Sequence, residues 1–146
     1  MEHMTIGRAV SLCGGKLYGT CNTETGIGRI VIDTREVQKG DLFAAFCGER
    51  VDGHDFIPAA FDRGASCCIG ERVPEGETRP VIVVRDVLKA LEEITTAYRS
   101  DFDLPVIGIT GSVGKTTAKE MISAVLEQHF RTLKTEGNLK DRKSVV

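Results

Sequence analysis

The sequence predicts an α/β fold in two parts: a small N-terminal α/β domain to about Ser100, then the first βαβ unit of a phosphate-loop (P-loop) domain. Three observations carry this. Short β-branched apolar runs and stretches of helical periodicity succeed one another from Met4 to Tyr98. The polar segment Ser100-Asp-Phe-Asp-Leu-Pro105, closed by a proline, marks a boundary. After it, an apolar run, a glycine-bearing turn and an amphipathic helical stretch follow in close order.

Taken in order, Met4–Gly14 reads as a short helix stopped by the pair Gly14-Gly15. Gly28–Ile32 is β-branched and predicts a strand. Lys39-Gly40-Asp41 is a turn, and Leu42–Phe46 a second strand. His54–Arg63 is helical, with Phe56, Ile57, Ala60 and Phe61 on one face and Gly64 as its cap. Ser66–Ile69 is a strand, and Val73–Thr78, with Pro74 and Gly76, a loop. Val81–Val84 is an unbroken apolar run that suits a strand buried on both faces. Val87–Tyr98 is helical, with Val87, Leu88, Leu91 and Ile94 at helix spacing. The second part predicts strand Val106–Ile109, loop Thr110–Gly114, helix Lys115–His129 and strand Arg131–Lys134. The helix carries Ala118, Met121, Ile122, Val125 and Leu126 on one stripe and Lys119, Glu120, Ser123 and Glu127 on the other side. Two strands alone cannot bury both faces of a sheet, so this unit is expected to be poorly packed or to lean on the first domain.

The chain has 146 residues with a formal charge of −2, which gives no reason to expect a nucleic-acid partner. No run of about 18 apolar residues is present, so no membrane partner is expected. The start, Met1-Glu2-His3-Met4, lacks the basic and apolar regions of a secretory signal, and a cytoplasmic protein is expected. The five cysteines, Cys13, Cys21, Cys47, Cys67 and Cys68, are an odd count without a C-x-x-C pair. They read as reduced and apolar, and the adjacent Cys67 and Cys68 would point to opposite faces of a strand.

The chemistry concentrates in Gly108-Ile-Thr-Gly-Ser-Val-Gly-Lys-Thr-Thr117. Gly111 and Gly114 permit a tight turn whose N–H groups face inward, and with Ser112 and Val113 they can cradle phosphate oxygens. The helix starting at Lys115 aims its positive end at the same place. Lys115 is predicted to stabilise the β- and γ-phosphates of ATP, Thr116 to ligate Mg²⁺, and Thr117 to complete the loop. The strict pattern needs glycine five residues before Gly114, where Ile109 stands; Gly108 is one place too early.

That departure is informative. Thr-Gly-Ser-x-Gly-Lys-Thr-Thr followed by Lys119-Glu-Met121 resembles the loop of the Mur ligases of peptidoglycan synthesis. Asp33-Thr-Arg35, Lys39-Gly-Asp-Leu-Phe43, Asp52-Gly-His-Asp-Phe56 and Gly64-Ala65 resemble the family's N-terminal UDP-sugar-binding domain. The resemblance spans nearly everything from Met4 to Leu139. It assigns residues 1–100 to that domain and 105–139 to the start of the central ATP-binding domain. Within the family, Gly111–Met121 and Thr135-Glu-Gly-Asn-Leu139 look most like the branch that adds D-alanyl-D-alanine; the branch adding the third peptide residue typically has Thr-Asn where Ser112-Val113 stand.

The resemblance implies a monomeric ATP- and Mg²⁺-dependent amide ligase acting on two small molecules, UDP-N-acetylmuramoyl-tripeptide and D-alanyl-D-alanine. The tripeptide carboxylate would take the γ-phosphoryl group, and the amine of D-alanyl-D-alanine would attack the acyl phosphate. Thr34 and Arg35 are candidates for the UDP end, Arg35 for the diphosphate. An Asp33–Arg35 ion pair that only fixes a turn is an equal alternative. Asp52 or Asp55 reads as a helix N-cap, His54 is a lesser ligand candidate, and His3 and His129 read as surface residues. The rival readings are the sister ligase that adds the third residue, a non-catalytic UDP-sugar-binding module, and a folylpolyglutamate-type ligase. The last would begin with its ATPase core, and the hundred residues ahead of the loop speak against it.

The family pattern would place asparagine at position 140, where Lys140 stands. Asp141-Arg-Lys-Ser-Val-Val146 is the translation of GATCGGAAGAGCGTCGTG, a common sequencing-adapter sequence, so residues 140–146 are expected to be a non-native tail. On that reading the 146-residue polypeptide, without the remaining Mg²⁺ ligands and the D-alanyl-D-alanine site, has no ligase activity of its own.

Overall fold

The computed structural model describes residues 1, 3–48 and 51–135. The chain divides into two compact units, Met1–Asp103 and Leu104–Val146.

In the first unit, helix α1 (Ile6–Cys13) starts at Thr5, whose hydroxyl accepts from Arg8 N at 3.2 Å, and ends on Gly14 in the left-handed conformation. A strand not predicted above, β1 (Lys16–Tyr18), follows at once. Its three residues are too few for their alternation to stand out in the sequence, and it exists only as the antiparallel neighbour of a later strand. Next come β2 (Ile30–Val31), β3 (Leu42–Ala44), α2 (Ile57–Asp62), β4 (Cys67–Gly70), β5 (Val81–Val83) and α3 (Val87–Ser100). The sheet order is β1-β5-β4-β3-β2, parallel throughout except at β1.

Both faces of this sheet are covered, which is why β3 and β4 are apolar at every position. On one face Leu42, Ala44, Cys67, Ile69 and Ile82 pack with Ile6 and Ala9 of α1 and Val87, Ala90 and Ile94 of α3. On the other, Phe43, Cys68 and Val81 pack with Ile57, Ala60 and Phe61 of α2. Cys67 and Cys68 therefore do point to opposite faces, both are buried, and burial pushes both thiols up, Cys67 to about 12. The predicted helix His54–Arg63 is divided: Gly53–Phe56 is a 3-10 turn capped by Asp52, and only then does α2 begin. Phe56 and Leu88, placed above on apolar helix faces, are exposed; Ala90 takes the core position on α3 instead.

Three of the motifs that carried the resemblance set strand positions. Buried Asp41 accepts from Arg29 Nε at 3.1 Å, Arg29 Nη2 at 2.6 Å and Gln38 N at 2.8 Å, closing the Lys39–Asp41 turn ahead of β3. Gly64 O accepts from Gly40 N at 3.0 Å, and Ser66 N donates to Asp41 O at 2.8 Å, so Gly64-Ala65 docks β4 beside that turn. The Asp52–Phe56 turn sits at the opposite end, between β3 and α2.

In the second unit the described residues form one helix, α4 (Lys115–Leu126), which stops three residues short of the predicted end. Neither Val106–Ile109 nor Arg131–Lys134 forms a strand, so the βαβ unit is not assembled among the described residues. The physical reason lies in pairing: a strand needs a ladder partner, and neither segment has one here. The stripe predicted for α4 has no sheet to cover. Met121 and Val125 are 66 % and 69 % exposed, Ile122 and Leu126 are half-buried, and Ser123, assigned above to the polar side, is buried. Residues 136–146, which include Gly137-Asn-Leu139 and the tail at 140–146, lie outside the described residues. Among the described residues no helix is long and apolar enough to cross a membrane.

Candidate phosphate and substrate sites

The phosphate loop occupies the start of α4. Gly111 has φ +151° and Gly114 φ +78°, both in the region that favours glycine. Gly114 is the N-cap, and no side chain there bonds to the first turn of the helix. The Lys115 ammonium folds back and donates to Gly111 O, so it lies over the loop. Gly111, Ser112, Val113, Gly114, Thr116 and Thr117 are exposed. The loop thus combines two glycine-dependent bends, a twelve-residue helix opening at the second of them and a cation held above. This is the donor set a polyphosphate needs. No group of three or more His, Cys, Asp or Glu side chains suited to a metal ion occurs among the described residues. Thr116 stands next to Lys115 on the first turn of α4.

In the first unit Thr34 and Arg35 lie just past β2, in a 3-10 turn, Thr34–Glu36, capped by Asp33. Asp33 accepts from Arg35 N at 2.9 Å and from its guanidinium at 3.0 Å (Nε to Oδ1) and 2.6 Å (Nη2 to Oδ2). The guanidinium beside it, joined by that backbone N–H, lowers the Asp33 carboxyl to about 2. The turn-fixing ion pair weighed above is therefore present. It leaves the Arg35 side chain 83 % exposed, so the same pairing that fixes the turn also presents the cation.

His54 is buried, not a surface ligand. Its Nδ1 lies 2.5 Å from Asp52 Oδ1, and its Nε2 accepts from Glu71 N at 2.8 Å. An acceptor at Nε2 places the ring proton on Nδ1, donating to Asp52. Asp52 also accepts from His54 N at 2.9 Å and from Arg72 Nη2 at 2.7 Å; Arg72 foremost, then His54, hold its carboxyl well below the usual range. Arg72 was not singled out in the sequence, because nothing in Gly70-Glu-Arg-Val73 marks it as anything but a solvated loop. Thr34–Arg35 follows β2, the Asp52–His54 turn follows β3, and Arg72 follows β4. All three lie beyond the carboxyl ends of neighbouring parallel strands, where open α/β sheets hold their ligands. An open cleft of about 680 Å³, lined by Lys16, Arg85 and Lys89 among others, lies toward the β1 edge and includes none of them.

Residues 26–99 match the family described as "Mur ligase family, catalytic domain" and residues 109–145 the "Mur ligase middle domain". The chain belongs to the Mur ligase family. The UDP-N-acetylmuramoyl-tripeptide--D-alanyl-D-alanine ligase of Synechocystis is 47 % identical over 114 residues, covering 77 % of this chain and 25 % of that protein. MurF from Acinetobacter baumannii superposes with a TM-score of 0.81 at 36 % identity, over 92 % of this chain and 30 % of that one. MurF ligase from Thermotoga maritima, solved in complex with ADP, superposes with a TM-score of 0.68 at 38 % identity, over 78 % of this chain and 26 % of that one. This Mur ligase chain spans about a quarter to a third of the length of the curated relatives it matches.

Proposed function

We infer that the chain carries the UDP-binding and phosphate-loop portions of an ATP-dependent ligase of peptidoglycan precursor synthesis, one that joins D-alanyl-D-alanine to UDP-N-acetylmuramoyl-tripeptide. The observation that carries this reading is the loop Gly111–Thr117, with its paired glycine bends at the start of α4, inside the segment that matches the Mur middle domain. The naming of relatives over most of this chain as D-alanyl-D-alanine-adding ligases supports the acceptor, and the ADP complex of one structural relative supports the nucleotide.

ATP supplies the phosphoryl group that turns a carboxylate into an acyl phosphate. The loop's backbone N–H groups and the start of α4 would bind the phosphate oxygens, and Lys115 would leave Gly111 O for the β- and γ-phosphates, neutralising charge as it builds up. Thr116 would hold the Mg²⁺. Thr34 and Arg35 would take the UDP end, Arg35 by its exposed guanidinium, and the tripeptide would extend from there. The protein is read as a cytoplasmic monomer.

Separate calorimetric titrations of the 146-residue chain with Mg·ATP and with UDP test this. Binding of both is expected. Lys115→Ala is expected to weaken ATP at least about tenfold and leave UDP unchanged, and Arg35→Ala to do the reverse. UDP binding without ATP binding would favour a sugar-nucleotide module and sink the ligase reading.

A further inference from the structure

Arg35 and Arg72 are held in the same way. Each follows a parallel strand, β2 or β4, each bonds a carboxylate that caps a 3-10 turn, and each leaves much of its guanidinium in solvent. The strands they follow, β2 and β4, lie on either side of β3, about two strand spacings or roughly 10 Å apart. The difference lies behind them. Asp33 is tied to its own turn alone, whereas Asp52 is tied through the buried His54 ring to the backbone of β4's exit at Glu71. Gly70 makes this possible: a Cβ there would stand 2.9 Å from His54 Cδ2 and Nε2. Phe46, at the end of β3, is clamped to the same turn, its O accepting from Gly53 N at 2.8 Å.

We propose that His54 is a positioning residue for a nucleoside diphosphate, joining the β3 and β4 ends through Asp52 and Glu71 so that the Arg72 guanidinium faces the phosphates opposite Arg35. This rests on the reading that the UDP end binds at these strand ends. The ring does what no amide can. Asn reaches only the Nδ1 position and Gln only the Nε2 position, so neither bonds both Asp52 and Glu71.

The test is UDP titration of the 146-residue chain at about pH 8. His54→Gln is expected to bind roughly five- to tenfold more weakly. Arg72→Ala is expected to lose a similar amount, with the double variant little worse than either single, because both act through one guanidinium. Gly70→Ala, which displaces the ring without removing a polar group, is expected to mimic His54→Gln and serves if the latter does not fold. A folded His54→Gln or Gly70→Ala that binds UDP within about twofold of wild type, or a double variant whose losses simply add, overturns the positioning role alone. A wild-type chain that binds no UDP overturns the substrate-end reading and this proposal with it.

Discussion

The unit Met1–Asp103 and the described part of the second unit, residues 104–135, use the same materials with different outcomes. Both have β-branched runs, glycine turns and amphipathic helical stretches. In the first, five strands supply one another's ladder partners, and α1 and α3 on one face and α2 on the other exclude water from both. In the second, α4 forms because its hydrogen bonds are internal, yet the runs on either side stay without a ladder. A helix can be written locally; a strand is a property of its neighbours.

The largest expected effect that would sharpen this contrast comes from Ile69→Ala. Ile69 is fully buried at the centre of the sheet, and its loss is expected to cost about 2–5 kcal/mol, read from urea unfolding followed by far-UV ellipticity. A cost under about 1 kcal/mol would mean that the first unit is no better packed than the second.

Next is Glu77→Gln. The Glu77 side chain is nearly buried and accepts from Arg79 Nε at 2.8 Å and Nη2 at 2.7 Å, and Arg79 in turn lies over the Phe61 ring of α2. A cost of about 1–3 kcal/mol is expected near neutral pH. The sign with pH follows from Arg79 lowering the Glu77 carboxyl from 4.5 to about 2. Its contribution is complete above the unfolded value and is lost as pH falls from about 4.5 towards 2. The acid limb of the stability curve should therefore flatten in the variant; an unchanged limb would show that other carboxylates carry it.

The smallest effect is expected from Val125→Ala on the exposed side of α4. Exchange of a β-branched residue for alanine at a 69 % exposed helical position should shift stability by no more than about 0.5 kcal/mol, in the stabilising direction. Amide exchange along α4 reads it out. A loss of protection like that of a core truncation would break the comparison, since it would require a packed partner on that face.

Much of the fold was legible. Val81–Val84 announced a strand buried on both faces because no polar residue interrupts it, and Leu42–Phe46 announced a strand after its turn. Gly14 and Gly64 marked the helix ends they do mark. The phosphate loop was legible because its chemistry is local: two glycines, a lysine and a helix start lie within a few residues of one another. The site in the first unit was only half legible. Thr34 and Arg35 stand out beside Asp33, but Arg72 and the inward turn of His54 come from a contact across 17 residues to Glu71 N that no spacing rule contains.

The sequence by itself determined the short-range features: which runs are apolar enough to be strands, where helices start and stop, and the phosphate loop with its glycines and Lys115. Those depend on neighbours within a turn or two of chain. Only the tertiary structure decided the rest. It recruited Lys16–Tyr18 as an edge strand, buried His54 between Asp52 and Glu71, and left Val106–Ile109 unpaired. In each case the deciding energy comes from a partner distant in the chain, a ladder, a carboxylate or a backbone N–H, whose presence or absence is not written in the segment itself.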